Sequence, residues 1–154
     1  MDEERLKLKA GHAVKCPPPS RMTTILLVDD SRDTRLMTKW FLDYVGYIVH
    51  AFSSADDAVA QFDPKIHDLV LTDNSMPRMT GAEMAHIIKM RSPATPVVMY
   101  TGRAPSDRSC LDAVVERPTP LPVLKETIDK ILAARSWRPV ENGDPPSNRR
   151  DAGL

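Results

Sequence analysis

A set of polar residues stands where apolar runs stop, and together their types suit phosphoryl chemistry. Asp29 and Asp30 follow Ile25-Leu-Leu-Val28, and Asp73 follows Leu69-Val-Leu-Thr72. Thr101 closes Pro96-Val-Val-Met-Tyr-Thr101, and Arg117 follows Ala113-Val-Val-Glu116. Carboxylates gathered at one place repel, so each resists ionisation unless a cation joins them. Oxygen-only ligation suits a hard ion; Mg²⁺ takes one or two carboxylates directly and keeps several waters. Such an ion also draws in a phosphoryl group. Asp73 would then be a nucleophile that forms an aspartyl phosphate, with the Thr101 hydroxyl and the Arg117 cation holding the other phosphoryl oxygens. Taken singly, each residue has a plainer reading. Asp30 or Ser31 caps a helix, Asp73 bonds its own turn, Thr101-Gly102 is an ordinary strand exit, and Arg117 is a solvated charge. Their joint placement at strand ends favours a functional site.

The elements that must position them follow from apolar patterning. The runs at 24–28 and 69–72 read as buried parallel strands, which are covered on both faces and need not alternate. Tyr47–Phe52, Pro96–Thr101 and Ala113–Glu116 complete a set of strands. Between the first two, Ser31 is an N-cap, Asp33 suits the helix dipole, and Gly46 stops the helix. Leu36, Met37, Trp40, Phe41, Tyr44 and Val45 recur at helical spacing and predict one apolar face for it. Ser53 or Ser54 caps a short second helix, and Met84, Ile87 and Ile88 mark the buried stripe of another after Gly81. Residues 106–111 leave room for only a short or irregular helix, and Leu121, Leu124, Ile128, Ile131 and Leu132 line the last. Regular alternation of strand and helix predicts a doubly wound parallel sheet in three α/β/α layers, with the helix between the fourth and fifth strands shortened. With strand order 2-1-3-4-5, the first and third strands are neighbours at the switch point, and Asp29 and Asp30 lie beside Asp73.

Composition excludes several classes. Lys+Arg and Asp+Glu balance at 21 each, so no overall field marks a nucleic-acid or membrane-surface binder. Cys16 and Cys110 lack the spacing of a zinc site or redox pair and read as reduced thiols. No signal peptide or membrane-spanning stretch is visible, and the expectation is a soluble cytoplasmic protein. Residues 1–22, with Cys16-Pro-Pro-Pro, read as a flexible leader. Residues 136–154 read as a disordered tail, leaving 23–135 as the folded domain.

Ile25-Leu-Leu-Val-Asp-Asp30, Asp73-Asn-Ser-Met-Pro77 with Gly81, Thr101 and Arg117-Pro118 together resemble the receiver domain of two-component response regulators. The resemblance covers roughly residues 23–134. It implies a flavodoxin-like fold and Mg²⁺-dependent phosphotransfer from a histidine kinase or histidine phosphotransfer protein. By position, Asp73 matches the phosphoacceptor and Asp29 and Asp30 the acidic pair that holds Mg²⁺, one through water. Ser75 matches the residue whose backbone carbonyl faces the metal, and Thr101 the switch hydroxyl. The sequence departs from the family at three places. Arg117 replaces the lysine, and a planar fork is not a compact ammonium. Val114 stands where an aromatic is common. The segment from Thr101 to Arg117 is short and lacks the usual Gly-Ala pair.

These features imply a single-domain response regulator that signals through protein contacts, with no separate catalytic domain and no DNA-binding module. A phosphorylation-independent interaction module is the alternative, in which Arg117 and the altered helix hold one conformation. A phosphatase of the haloacid-dehalogenase type would need Asp-x-Asp after the first strand, which Asp29-Asp30-Ser31-Arg32 does not supply. Homodimerisation through the fourth helix, fifth strand and fifth helix is common in the family, and that face is altered here. Trp40, Phe41 and Tyr44 on the first helix offer either core packing or a docking surface for a kinase or a second copy.

Overall fold

A computed structural model describes residues 21–136, so the leader and tail expected from the sequence lie outside the described residues except at their inner edges. The strands are β1 (Thr24–Val28), β2 (Ile48–Phe52), β3 (Leu69–Thr72), β4 (Val97–Thr101) and β5 (Ala113–Glu116). The helices are α1 (Arg32–Tyr44), α2 (Ala55–Gln61), α3 (Gly81–Arg91) and α4 (Leu121–Ser136). All strand pairs are parallel, in the order β2-β1-β3-β4-β5. β1, β3 and β4 are buried along their whole length, whereas β2 and β5 are partly exposed as edges must be.

Alternation along the strands sends neighbouring residues to opposite layers. Leu26 and Val28 pack with Val70, Val97 and the α2 and α3 residues Ala58, Met84 and Ile88. Ile25 and Leu27 pack on the other face with Leu69, Leu71, Leu42 of α1, and Leu124 and Ile128 of α4. The expected three-layer sheet is therefore present, with its ladder register pairing Val28 with Thr72. The carboxyl ends of β1 and β3 are thus adjacent. Among the described residues no helix is long and apolar enough to cross a membrane.

The structure corrects the reading of α1. Leu42 and Thr38 face the sheet, with Phe41 and Val45 half-buried beside them. Leu36, Met37, Trp40 and Tyr44 lie on the far side, Trp40 65% and Tyr44 77% exposed. The two rings stack with centroids 5.7 Å apart. The cause is a second apolar stripe. Helical periodicity sees apolar residues on both sides of the cylinder and does not say which side meets the sheet. The helix itself ends as expected, at Gly46 with φ 108°, a left-handed conformation that glycine adopts without steric cost.

Between β4 and β5, the short or irregular helix expected from the sequence gives way to bends and a turn, with no helix over residues 102–112. Asp107 closes a local turn by accepting from the Ser109 amide at 3.0 Å. Asp112 then pins the segment. Its carboxylate accepts from the Val97 amide at 2.7 Å and from Lys89 at 2.9 Å.

On the edge strand, His50 Nδ1 lies 3.0 Å from Nε2 of the buried His67, whose Nδ1 accepts from the Asp63 amide at 3.1 Å. Accepting on Nδ1 while facing His50 with Nε2 requires a neutral His67 imidazole. Burial first, and then His50, hold His67 below its usual pKa of 6.5. A depressed histidine contributes stability that is present above 6.5 and lost as pH falls through the folded value. Urea denaturation should therefore show stability dropping as pH is lowered below neutrality, and His67→Gln should flatten that slope. An unchanged slope would remove His67 as the cause.

Candidate functional site

The carboxyl edge of the sheet collects the polar residues singled out above. Asp29 and Asp73 continue the strand ladder, their amides donating to Phe52 O at 3.1 Å and Val28 O at 3.0 Å. Asp29 is buried, with Oδ1 accepting from the Ser31 amide at 2.9 Å and its carbonyl from Arg35 at 2.7 Å. Asp73 is buried at the rim, with Oδ1 accepting from the Asn74 amide at 2.7 Å. Asp30 is exposed. One carboxylate oxygen from each of the three aspartates lies within 4.8 Å of the others.

The loop after β3 is held from below. Asn74 accepts from the Gly81 amide on its carbonyl and from the Ala82 amide on its side chain, both at 3.0 Å. Ser75 is exposed on this loop, while Met76 beneath it is buried. Thr80 and Glu83 form a reciprocal capping box that starts α3. The helix begins so close to Asp73 that a Cβ on Gly81 would stand 2.1 Å from the Asp73 carbonyl oxygen.

Thr101 is buried, and its hydroxyl closes a turn with Arg103, donating to the carbonyl at 3.2 Å and accepting from the amide at 3.3 Å. Arg117 reaches across the site. Its Nη2 lies 3.2 Å from Asp29 Oδ2, 3.5 Å from Asp73 Oδ1 and 2.8 Å from the Tyr100 carbonyl. The guanidinium carbon sits 4.9 Å from the Tyr100 ring centroid, a cation–π contact. Its Nε is buried with no hydrogen-bond partner. Val114 lies on β5, half-buried.

Tyr100 belongs to the site although its place in the sequence did not mark it. Its ring and carbonyl both receive Arg117, and its hydroxyl donates to Thr119 O at 2.9 Å. The available signal was an aromatic with a polar tip immediately before Thr101 in an otherwise aliphatic strand.

Electrostatics follow from this crowding. The Asp29 carboxyl is held above its ordinary 3.8, chiefly by burial, and further by Asp73 and Asp30; the Ser31 amide and Arg117 oppose the shift. Oxygen donors this close, two of them buried, fit a hard divalent cation. Arg117→Ala removes the one cation in contact with both buried carboxylates among the described residues. It should cost about 2 kcal/mol at neutral pH in a urea titration. The loss should shrink in acid as the carboxylates protonate, and a pH-independent loss would point to packing on Tyr100 instead.

Comparison with known proteins decides the family. The model of the response regulator receiver domain matches residues 25–116. The chain belongs to that family. Among curated relatives, it is 30% identical over 114 residues to the autoinducer 1 sensor kinase/phosphatase LuxN of Vibrio campbellii, covering 71% of this chain and 13% of that protein. It is 33% identical over 116 residues to the transcriptional regulatory protein ZraR of Salmonella typhimurium, covering 71% of this chain and 26% of that one. The chain therefore spans a minor part of these larger relatives. Among solved structures, the CheY-like receiver domain from Methanospirillum hungatei superposes with a TM-score of 0.70 at 27% identity, covering 75% of this chain and 97% of that one. The response regulator TrrA of Thermotoga maritima, solved in complex with Mg²⁺-BeF, gives 0.68 at 28% identity, covering 71% and 99%. Receiver domains of two-component systems accept a phosphoryl group on an aspartate and bind Mg²⁺ in an acidic pocket; they are not enzymes in the ordinary sense.

Proposed function

We propose that Asp73 is the phosphoryl acceptor of this receiver domain, and that Asp29, Asp30 and the Ser75 carbonyl hold Mg²⁺ beside it. The observation that carries the reading is the convergence of Asp29, Asp30 and Asp73 within 4.8 Å at the switch point of the sheet. Asp73 Oδ1 is engaged by the Asn74 amide and Arg117, and neither contact involves Oδ2. Oδ2 is the oxygen suited to attack. In the transfer, an Asp73 O–P bond forms as the N–P bond of a phosphohistidine breaks, and the imidazole nitrogen leaves with the electron pair. Bound Mg²⁺ supplies charge neutralisation for the carboxylates and the phosphoryl oxygens.

Arg117 pulls negative charge toward Asp73 from the β5 side, and the Tyr100 ring fixes its height. Thr101, now engaged with Arg103, is the hydroxyl that would turn toward a phosphoryl oxygen. A groove of about 650 Å³ beside Arg117, lined by Met37, Thr38, Tyr100, Pro118 and Leu121 among others, supports access for a donor protein. The donor is a histidine kinase or histidine phosphotransfer protein in the cytoplasm, and the output is a protein contact made by this domain without DNA binding. A phosphorylation-independent interaction module is favoured by one observation, the Arg117 clasp that already joins Asp29 and Asp73.

Intact mass after incubation with acetyl phosphate separates the readings. A gain of one phosphoryl group that requires Mg²⁺ supports the acceptor. No gain from acetyl phosphate, and none from a phosphorylated histidine phosphotransfer protein, leaves the interaction module.

A further inference from the structure

We propose that Cys110 is a surface nucleophile for thiol–disulfide exchange, with His86 as its proton acceptor and Asp107 as the residue that orients the imidazole. The three stand apart from the aspartate cluster, His86 on α3 and the other two on the connection 102–112. Cys110 Sγ lies 3.4 Å from His86 Nδ1, and His86 Nε2 lies 3.4 Å from Asp107 Oδ2. Thiol, imidazole and carboxylate in that order are the arrangement that activates a cysteine. One neutral tautomer serves both contacts. With its proton on Nε2, the ring donates to Asp107 and turns the Nδ1 lone pair toward the thiol.

The carboxylate is prepared for this. The Ser109 amide, the Ser109 side chain and His86 hold Asp107 below its ordinary 3.8, so it is ionised near neutrality. Access is also provided. Cys110 is a free thiol, packed on one side against the apolar cluster under α3. Cys110 is itself partly exposed, and His86 and Asp107 beside it are 53% and 61% exposed, which leaves the side of approach for a small reagent open. A cysteine serving only as a small apolar plug needs neither neighbour.

The step is balanced with a low-molecular-weight disulfide as co-reactant. Cys110 Sγ attacks one sulfur, the new S–S bond forms as the old one breaks, and the leaving thiolate carries away the electron pair. The thiol proton passes to His86 Nδ1 and then to water. The product is a mixed disulfide on the segment that joins Thr101 to β5. Its formation does not depend on phosphorylation.

The chain carries one other cysteine, Cys16, so the test uses the full chain with Cys16→Ser. The rate of mixed-disulfide formation with glutathione disulfide is followed by intact mass across pH. His86→Gln should slow it roughly tenfold near neutrality and steepen its rise with pH, and Asp107→Asn should slow it less. Both side chains are exposed, so neither change threatens folding. Equal rates in all three proteins at every pH would overturn the proposal. So would a native chain that reacts only after unfolding.

Discussion

Asp73→Asn is expected to take up no phosphoryl group from acetyl phosphate and Mg²⁺, while the unaltered chain gains one. An amide oxygen is not a useful nucleophile toward phosphorus, and the other aspartates are placed differently. Asp29 is buried behind Asp73 with Oδ1 on the Ser31 amide and Oδ2 on Arg117. Asp30 is exposed on the connection that leads into α1. The same substitution should raise stability by about 1 kcal/mol, because sites built from like charges are held together at a cost to the fold. The pH dependence gives a second readout. Asp29 has a folded pKa raised above 3.8, so its contribution is full below 3.8 and is lost as pH rises through the folded value. Removing the Asp73 charge removes one cause of that elevation, and the acid-side slope should flatten. A phosphoryl group on Asp73→Asn would move the acceptor elsewhere. A loss of stability would mean that the Asp73 contact with Arg117 outweighs the repulsion.

Gly81→Ala is expected to damage both the fold and the site, against what helix propensity predicts. Alanine in place of glycine usually gains up to about 1 kcal/mol in a helix. Here the new Cβ would stand 2.1 Å from Asp73 O, 3.0 Å from Asp73 C and 3.1 Å from Asn74 Cα. All three are backbone atoms of the loop that carries the proposed acceptor, so relief requires moving Asp73 or the start of α3. Overpacking of this kind should cost about 2–3 kcal/mol net. Phosphoryl uptake should slow at least roughly tenfold, since a displacement of this order spoils alignment for attack. Gly102→Ala is the control, because nothing lies within 4 Å of a Cβ there. Urea denaturation and the uptake rate measure the two effects. A Gly81→Ala protein as stable and as reactive as its parent would show that the loop yields freely and does not hold Asp73 in place.

At position 117 the family resemblance leads one to expect a lysine, and this receiver domain carries an arginine. A lysine would offer a compact ammonium; the guanidinium instead spans Asp29, Asp73 and the Tyr100 carbonyl and lies over an aromatic ring. Val114 stands on β5 where the family resemblance leads one to expect an aromatic. Tyr100 supplies an aromatic from β4, next to the Thr101 hydroxyl.

Much of this was legible in the linear chain because it depends on local order alone. Apolar runs of strand length, each ending in a polar residue and followed by a cap or a glycine, mark strands, helices and the edge where they meet. Parallel connectivity then places Asp29, Asp30, Asp73, Thr101 and Arg117 at that edge, since every parallel strand delivers its carboxyl end to the same side. Direction around a helix and contact across the sheet are not local. Which stripe of α1 faces inward depends on the sheet it meets, so Trp40 and Tyr44, which the sequence left open between core and docking surface, lie in solvent. The Arg117–Asp29 contact joins residues 88 positions apart. The need for glycine at 81 arises from a backbone approach that its neighbours in sequence do not reveal. Cys110, His86 and Asp107 form a line only because the segment after β4 forgoes a helix and settles against α3. Periodicity and turn chemistry therefore determined the elements and the edge; packing alone decided what each side chain there touches.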